Sequence, residues 1–391
     1  MRNRKLAFIY SPETERLSYP ADCPFKTQRA GLTRKRLNSF GLIGGEDRIE
    51  VAARPASPAE LAVFHSPTYL KQLQRATKGD LTVAGLHMGI GGPDTPVFPD
   101  LFEYGTWACG AGLNAAELLL AGEADVAFNL LGGFHHAMAD RASGFCYLND
   151  VVLACSRLTG AGKRVAYVDV DAHHGDGVQE AFYRRKDVLT ISLHESGKTL
   201  FPWGGFENEI GEGRGLGYNV NIPLPAETYD DAFLLALDRV VLPLLGAYQP
   251  EVIVLELGMD TLAGDPLTHL CLTNNAHVEL IQRLLELNRP VLVAGGGGYN
   301  VEHTVRGWAL AWRTFGGEGD EDASSLGLGG VMLGSSEWAG GLRDHLRHIT
   351  TDQRAAVEME LNATIHRVIA NVFPYHGLDI RAALGRSVQS G

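Results

Sequence analysis

The sequence predicts an α/β chain: one doubly wound domain over residues 1–391, with a central, mostly parallel sheet flanked by helices and its active site at the carboxyl ends of the strands. Three observations predict it. Short runs rich in Val, Ile and Leu recur without polar alternation, as strands covered on both faces do. Between them lie segments with apolar residues at three- and four-residue spacing, the alternation that βα units produce. Polar clusters follow directly after several of the apolar runs, and open α/β sheets bind ligands beyond the carboxyl ends of their strands.

The first run, Leu6–Tyr10, is too short for a secretory leader and reads as a strand. Further strands are expected at 126–130, 164–170, 188–193, 218–222, 251–257 and 290–294. Helices are expected at Leu101–Ala121, 230–248, 274–287 and 352–369. The Gly-rich, acidic stretch 315–322 reads as a flexible loop, and the chain after it is too short for a domain of its own.

Composition narrows the class. Of 391 residues, 45% are hydrophobic and 20% charged, which is ordinary for a folded globular protein. The net charge is -12, and Arg34-Lys35-Arg36 is the main basic run, so direct binding to nucleic acid is not expected and a cationic partner would be attracted. No stretch approaches the roughly 20 apolar residues of a membrane helix. The five cysteines are odd in number and form no CxxC, so reduced thiols and a cytoplasmic location are expected.

The chemistry lies in four segments. Asp169, Asp171 and His173 follow the run at 164–168, and on an extended chain alternate residues share a face, so the three can converge. Carboxylate with imidazole suits zinc or a similar divalent metal, although an acidic loop with a capping aspartate looks the same in isolation. Asp260, after the run at 252–257, would complete three protein ligands with a position left open, or would cap a helix. His135 and His136 follow a Gly-Gly turn and suit general base and acid work, with Asp169 and Asp176 available to orient them; alone, such a pair is more often a packed loop feature. The glycines 295–298 lead to Tyr299, whose hydroxyl can donate to a developing oxyanion; a phosphate-cradling reading is weak because no Gly-Lys-Ser/Thr follows.

With Ser143-Gly144-Phe145-Cys146-Tyr147-Leu148-Asn149-Asp150 and 258–266 added in the same order, the sequence resembles the zinc-dependent histone deacetylase family, which includes bacterial lysine deacylases, acetoin-utilisation proteins and acetylpolyamine amidohydrolases. The resemblance covers about 10–312 and implies an arginase/deacetylase-like fold. It implies zinc on Asp171, His173 and Asp260, with His135 backed by Asp169, His136 backed by Asp176 as general base, and Tyr299 polarising the acyl carbonyl. Gly144, Phe145 and Phe201 match a narrow tunnel for a lysine alkyl chain, and Asp94 matches a rim carboxylate. It further implies potassium at Asp169, Asp171, His173, Ser192 and Leu193, and a second, outer potassium near Phe182, Val188 and Tyr218. The implied activity is hydrolysis of N-acyl-lysine in proteins or peptides, giving a carboxylate and a free amine.

Two departures bear on substrate. Leu267 stands where polyamine-specific relatives carry an acidic gatekeeper, which favours acyl-lysine over an acylated small amine such as acetylpolyamine. The stretch 195–200 differs from the common eukaryotic pattern at the tunnel rim. An acetylpolyamine or other small-molecule amide hydrolase, a dimanganese ureohydrolase, which shares the fold and an Asp-x-His motif, and a non-catalytic acyl-lysine binding module are the competing readings. The last has nothing in its favour, because every expected catalytic position holds the expected residue.

Overall fold

The computed structural model describes residues 4–317 and 341–384. The expected loop at 315–322 therefore falls mostly outside the described residues. Eight strands form one sheet: β1 Leu6–Tyr10, β2 Arg48–Ala52, β3 Val126–Asn129, β4 Val165–Asp169, β5 Val188–Glu195, β6 Asn219–Leu224, β7 Val252–Glu256 and β8 Val291–Ala294. Their order is β2-β1-β3-β8-β7-β4-β5-β6, and every pairing is parallel.

All strands except β2 are buried along their whole length, which is why they read as uninterrupted apolar runs. The strand missed in the sequence, β2, lies at the sheet edge, is partly exposed and carries Arg48 and Glu50, so it lacks that signature. The aromatic core explains much of the packing. Phe8 and Phe128 are register partners, and their rings meet Trp312 of the helix Val301–Phe315 at 5.6 and 5.1 Å. Both tryptophan N–H groups on that helix find buried carbonyls, Trp308 on Leu257 and Trp312 on Leu42.

The expected helix 230–248 is interrupted. It runs Asp230–Ala236, passes through a π-turn at Leu237–Val241 and resumes at Leu242–Tyr248. Pro243 has no N–H to give to the ladder, and a wider turn just before it absorbs the lost bond. The far helix, Thr351–Val372, is longer than expected and packs back against β6 through a buried face that includes Leu361, Ile365 and Val368. All five cysteines are free, and four are buried. Among the described residues no helix is long and apolar enough to cross a membrane.

The sheet order positions the site. The strands that precede the four motif segments, β3, β8, β7 and β4, are the four contiguous central strands. Their last residues lie in one register row, Asn129, Ala294, Glu256 and Asp169, which continues through Ser192 and Asn221. Segments remote in sequence therefore leave the same edge side by side.

Candidate active site

The loop after β4 is curled by its own carboxylates. Asp169 accepts a hydrogen bond from the Asp171 N–H at 3.0 Å, and Asp171 accepts one from the His173 N–H at 2.8 Å. Each aspartate thus makes a turn two residues on. Of the three residues expected to converge, Asp171 and His173 do so and Asp169 does not, and the cause is this curl rather than strand alternation, because β4 ends at Asp169. Asp169 turns toward His135, whereas Asp171 and His173 turn toward Asp260.

Asp260 caps no helix, since the next one begins at Asn274. One of its oxygens accepts the Ala172 N–H at 2.9 Å, and the other lies 2.9 Å from His173 Nδ1. The same nitrogen is 3.1 Å from Asp171 Oδ1. Two carboxylates and one imidazole nitrogen, all buried and converging on a common point, fit the donor set and spacing of a zinc centre. Burial opposes the His173 cation, but hydrogen bonds and charge from Asp171 and Asp260 outweigh it and raise its pKa to about 10. Burial and the neighbouring Asp171 raise Asp260 to about 7. A metal taking these ligands therefore displaces protons.

The turn after β3 presents the two imidazoles. His135 Nδ1 meets Asp169 at 3.0 Å, and His136 Nδ1 meets Asp176 at 2.7 Å. Their Nε2 atoms face each other at 3.0 Å. Burial disfavours a cation at both, with opposite outcomes. At His135 the charges of Asp169 and Asp171 overcome it and raise the pKa well above the ordinary value. At His136 burial, reinforced by charge on His135, keeps the pKa low despite Asp176. The two imidazoles are thus pushed in opposite directions, the division that separate acid and base roles require.

The glycine loop after β8 is spoken for by protein. Gly295 N–H bonds Asn129, Gly296 N–H bonds Gly132, Gly297 N–H bonds Asp171 and Tyr299 N–H bonds Asp265. That leaves little of a phosphate cradle. Tyr299 itself lies with its ring 6.2 Å from that of His173 and 5.9 Å from that of Phe145. Burial, with Asp260 and Asp171 nearby, pushes its pKa well above 10, so the hydroxyl keeps its proton.

Phe201 stands on the other side, its ring 5.1 Å from that of His136. Gly144 has φ +52, and a Cβ there would meet His136 at 2.5 Å and Phe201 at 3.0 Å, so a side chain would clash with both rings. Asp94 binds the turn at Gly144 and Phe145 twice: its carboxylate accepts the Gly144 N–H at 2.8 Å, and its carbonyl accepts the Phe145 N–H at 2.9 Å. Leu267 is tied to the same wall, since its N–H and that of Tyr299 bond the two oxygens of Asp265.

The residues expected near the inner potassium are adjacent: Ser192 is the register partner of Asp169, with Leu193 next to it. Val188, expected near the outer one, opens β5 at the opposite end of the sheet from the site.

Three buried groups escaped the sequence reading. Asp150 accepts from Gly133 N–H, Phe134 N–H and Asn129 Nδ2, clamping the histidine turn. Arg29 donates to the carbonyls of Gly296 and Gly298 and sits between the rings of Phe25 and Trp308, which braces the loop of Tyr299. Glu256 ends β7 beneath His135. Only Asp150 left a signal, as the last residue of the block that begins at Ser143. An isolated Arg or a Glu within an apolar run leaves none.

Comparison with known proteins identifies the family. The histone deacetylase domain model matches residues 23–315. The acetoin utilization protein AcuC of Bacillus subtilis is 39% identical over 320 residues, covering 79% of this chain and 81% of that protein. Histone deacetylase 8 of Xenopus tropicalis is 39% identical over 283 residues, 72% of this chain and 76% of that one. Among solved structures, a histone deacetylase homologue in complex with SAHA superposes with a TM-score of 0.81 at 33% identity, over 94% of this chain and 100% of that one. A homologue from Aquifex aeolicus gives 0.78 at 33% identity, over 91% and 99%. The chain belongs to the histone deacetylase family of hydrolases.

Proposed function

We propose that this chain is a zinc-dependent hydrolase that cleaves the amide of N-acyl-lysine in proteins or peptides. The observation that carries the reading is the convergence of Asp171, His173 and Asp260 with the His135–His136 pair, with the rings of Tyr299, Phe145 and Phe201 packed around them. Zinc held by the three ligands would supply Lewis acidity to a water and to the scissile carbonyl. His136, held by Asp176 with Nε2 free of a proton, accepts the proton of the attacking water. Tyr299 donates its hydroxyl hydrogen bond to the oxygen that gains charge. His135, kept protonated by Asp169, delivers a proton to the departing amine. The amide C–N bond breaks, leaving a carboxylate and a free amine.

Phe145, Phe201 and Gly144 grip the alkyl chain, and Asp94 faces the rim. The apolar Leu267 favours acyl-lysine over a polyamine, which would seek an acidic group there. A net charge of -12 suits a cationic partner of either kind. Potassium at Asp169, Asp171, His173, Ser192 and Leu193 and a reducing, cytoplasmic setting belong to the same proposal, the latter supported by five free cysteines.

The test is kcat/KM of zinc-loaded protein on lysine peptides bearing acyl chains of increasing length, beside acetylspermidine. The expected result is turnover of at least one acyl-lysine peptide at ~10-fold or more above acetylspermidine, about 1.4 kcal/mol of discrimination. Preference for acetylspermidine overturns the lysine assignment, and no turnover of any of these overturns the hydrolase roles.

A further inference from the structure

We propose that His135, Asp171 and Glu256 form a second buried site for a divalent transition metal, beside the site of Asp171, His173 and Asp260 and sharing its Asp171. Glu256 prompts the inference. It is wholly buried, and among the described residues neither of its carboxylate oxygens has a hydrogen-bond partner. A buried carboxyl left unpaired is costly, so such a group calls for a partner.

The surroundings supply one for a cation. Glu256 Oε1 lies 4.0 Å from His135 Nδ1, and Asp171 Oδ1 lies 3.9 Å from His135 Nε2. One ligand atom from each of the three residues lies within 4.8 Å of the others. Donors around a tetrahedral ion with bonds of ~2.0–2.2 Å stand about 3.4 Å apart, so the three side chains must draw in slightly, on one nitrogen of His135, to close on it. Glycines keep the space clear: a Cβ on Gly133 would fall 2.6 Å from Glu256 Oε1, and one on Gly296 would fall 3.1 Å from it and 2.9 Å from Asp171 Oδ2. An imidazole together with two carboxylates suits zinc or another first-row divalent ion.

Occupancy of this site is inhibitory. His135 has one nitrogen on Asp169 and the other facing His136. An ion that takes either breaks one of these two contacts and removes the imidazole from acid–base work. The binding itself stands on geometry; the inhibitory consequence rests on the roles proposed above.

The full chain, loaded with one equivalent of zinc, is titrated with further zinc or manganese at fixed potassium chloride. Ions per chain are counted by elemental analysis, and anomalous diffraction locates them. The expected result is two ions per chain, the second weaker and placed between Glu256, His135 and Asp171, with turnover falling ~10²-fold as it fills, the scale of a lost acid–base group. Glu256→Gln should bind one ion only, and its turnover should not change between one and ten equivalents. A wild-type chain that stays at one ion, or a Glu256→Gln chain that still binds two, overturns the site. Two ions per chain at excess metal, with no turnover of any acylated amine even at one equivalent of zinc, would uphold this site while overturning the hydrolase roles.

Discussion

Tyr299 is held as a neutral donor by the same features that hold the rest of the site. Its ring packs against Phe145, its N–H is fixed by Asp265, and burial, with Asp260 and Asp171 nearby, disfavours a phenolate. Tyr299→Phe keeps that packing and removes only the hydroxyl. We expect kcat to fall ~10²–10³-fold, the scale of one lost oxyanion donor, with KM nearly unchanged. Steady-state kinetics on an acyl-lysine peptide checks this, and a wild-type kcat would remove Tyr299 from the chemistry. The sequence placed Tyr299 by its position after a strand and a glycine turn; the structure adds that the glycine amides are used to build the loop rather than to bind a ligand.

At the scale of elements, the histidine turn depends on the helix that follows it. Asp150 is the first residue of the helix Asp150–Gly160, and its carboxylate accepts three N–H donors from the turn and the end of β3. Burial pushes its pKa up to about 6 against those bonds, so the clamp is retained at a desolvation cost. Asp150→Ala should strand the Gly133 and Phe134 N–H groups at ~1–3 kcal/mol each and lower kcat by misplacing His135 and His136. Asp150→Asn, which keeps an acceptor oxygen, should fall between. Thermal unfolding and kcat measured together decide it; an alanine variant with normal stability and turnover would show that the turn needs no clamp.

For the whole molecule, metal and pH act through groups on several elements. An ion bound only by the folded chain at a free concentration 100 times its Kd adds ~2.7 kcal/mol, so chelation should lower the unfolding midpoint and zinc should restore it. An unchanged midpoint would mean that no tightly held ion links the loops after β4 and β7. The buried His65 is neutral, with Nδ1 on the Met138 carbonyl and Nε2 accepting the Asn149 N–H, and burial lowers its pKa from 6.5 to about 4. Burial likewise lowers His277 to about 4 and His194 to about 3. Below pH 6.5 the unfolded chain binds protons that the folded one refuses, so the stability these groups contribute at neutral pH is lost as pH falls toward 4. His65→Gln should therefore lose less stability than wild type between pH 7 and 4.5, by about 2 kcal/mol, in urea unfolding. An equal decline in both would exclude His65 as a source.

By itself the sequence determined the class of fold and singled out Asp171, His173, Asp260 and the His135–His136 pair as candidates, because both signals are local. A strand buried on both faces must be an unbroken apolar run, and a loop leaving its end shows its polar residues in order. Where burial was partial, as at Arg48–Ala52, or a proline forced a π-turn, as near Pro243, the local signal failed. Only the tertiary structure decided which loops meet. Strand order is set by long-range pairing of covered faces, and it places β3, β8, β7 and β4 side by side, so that Gly297 bonds Asp171 across 126 residues of chain. The same pairing put Arg29, Asp150 and Glu256 around the site. Their roles depend on neighbours far away in sequence, and no periodicity or spacing records such neighbours.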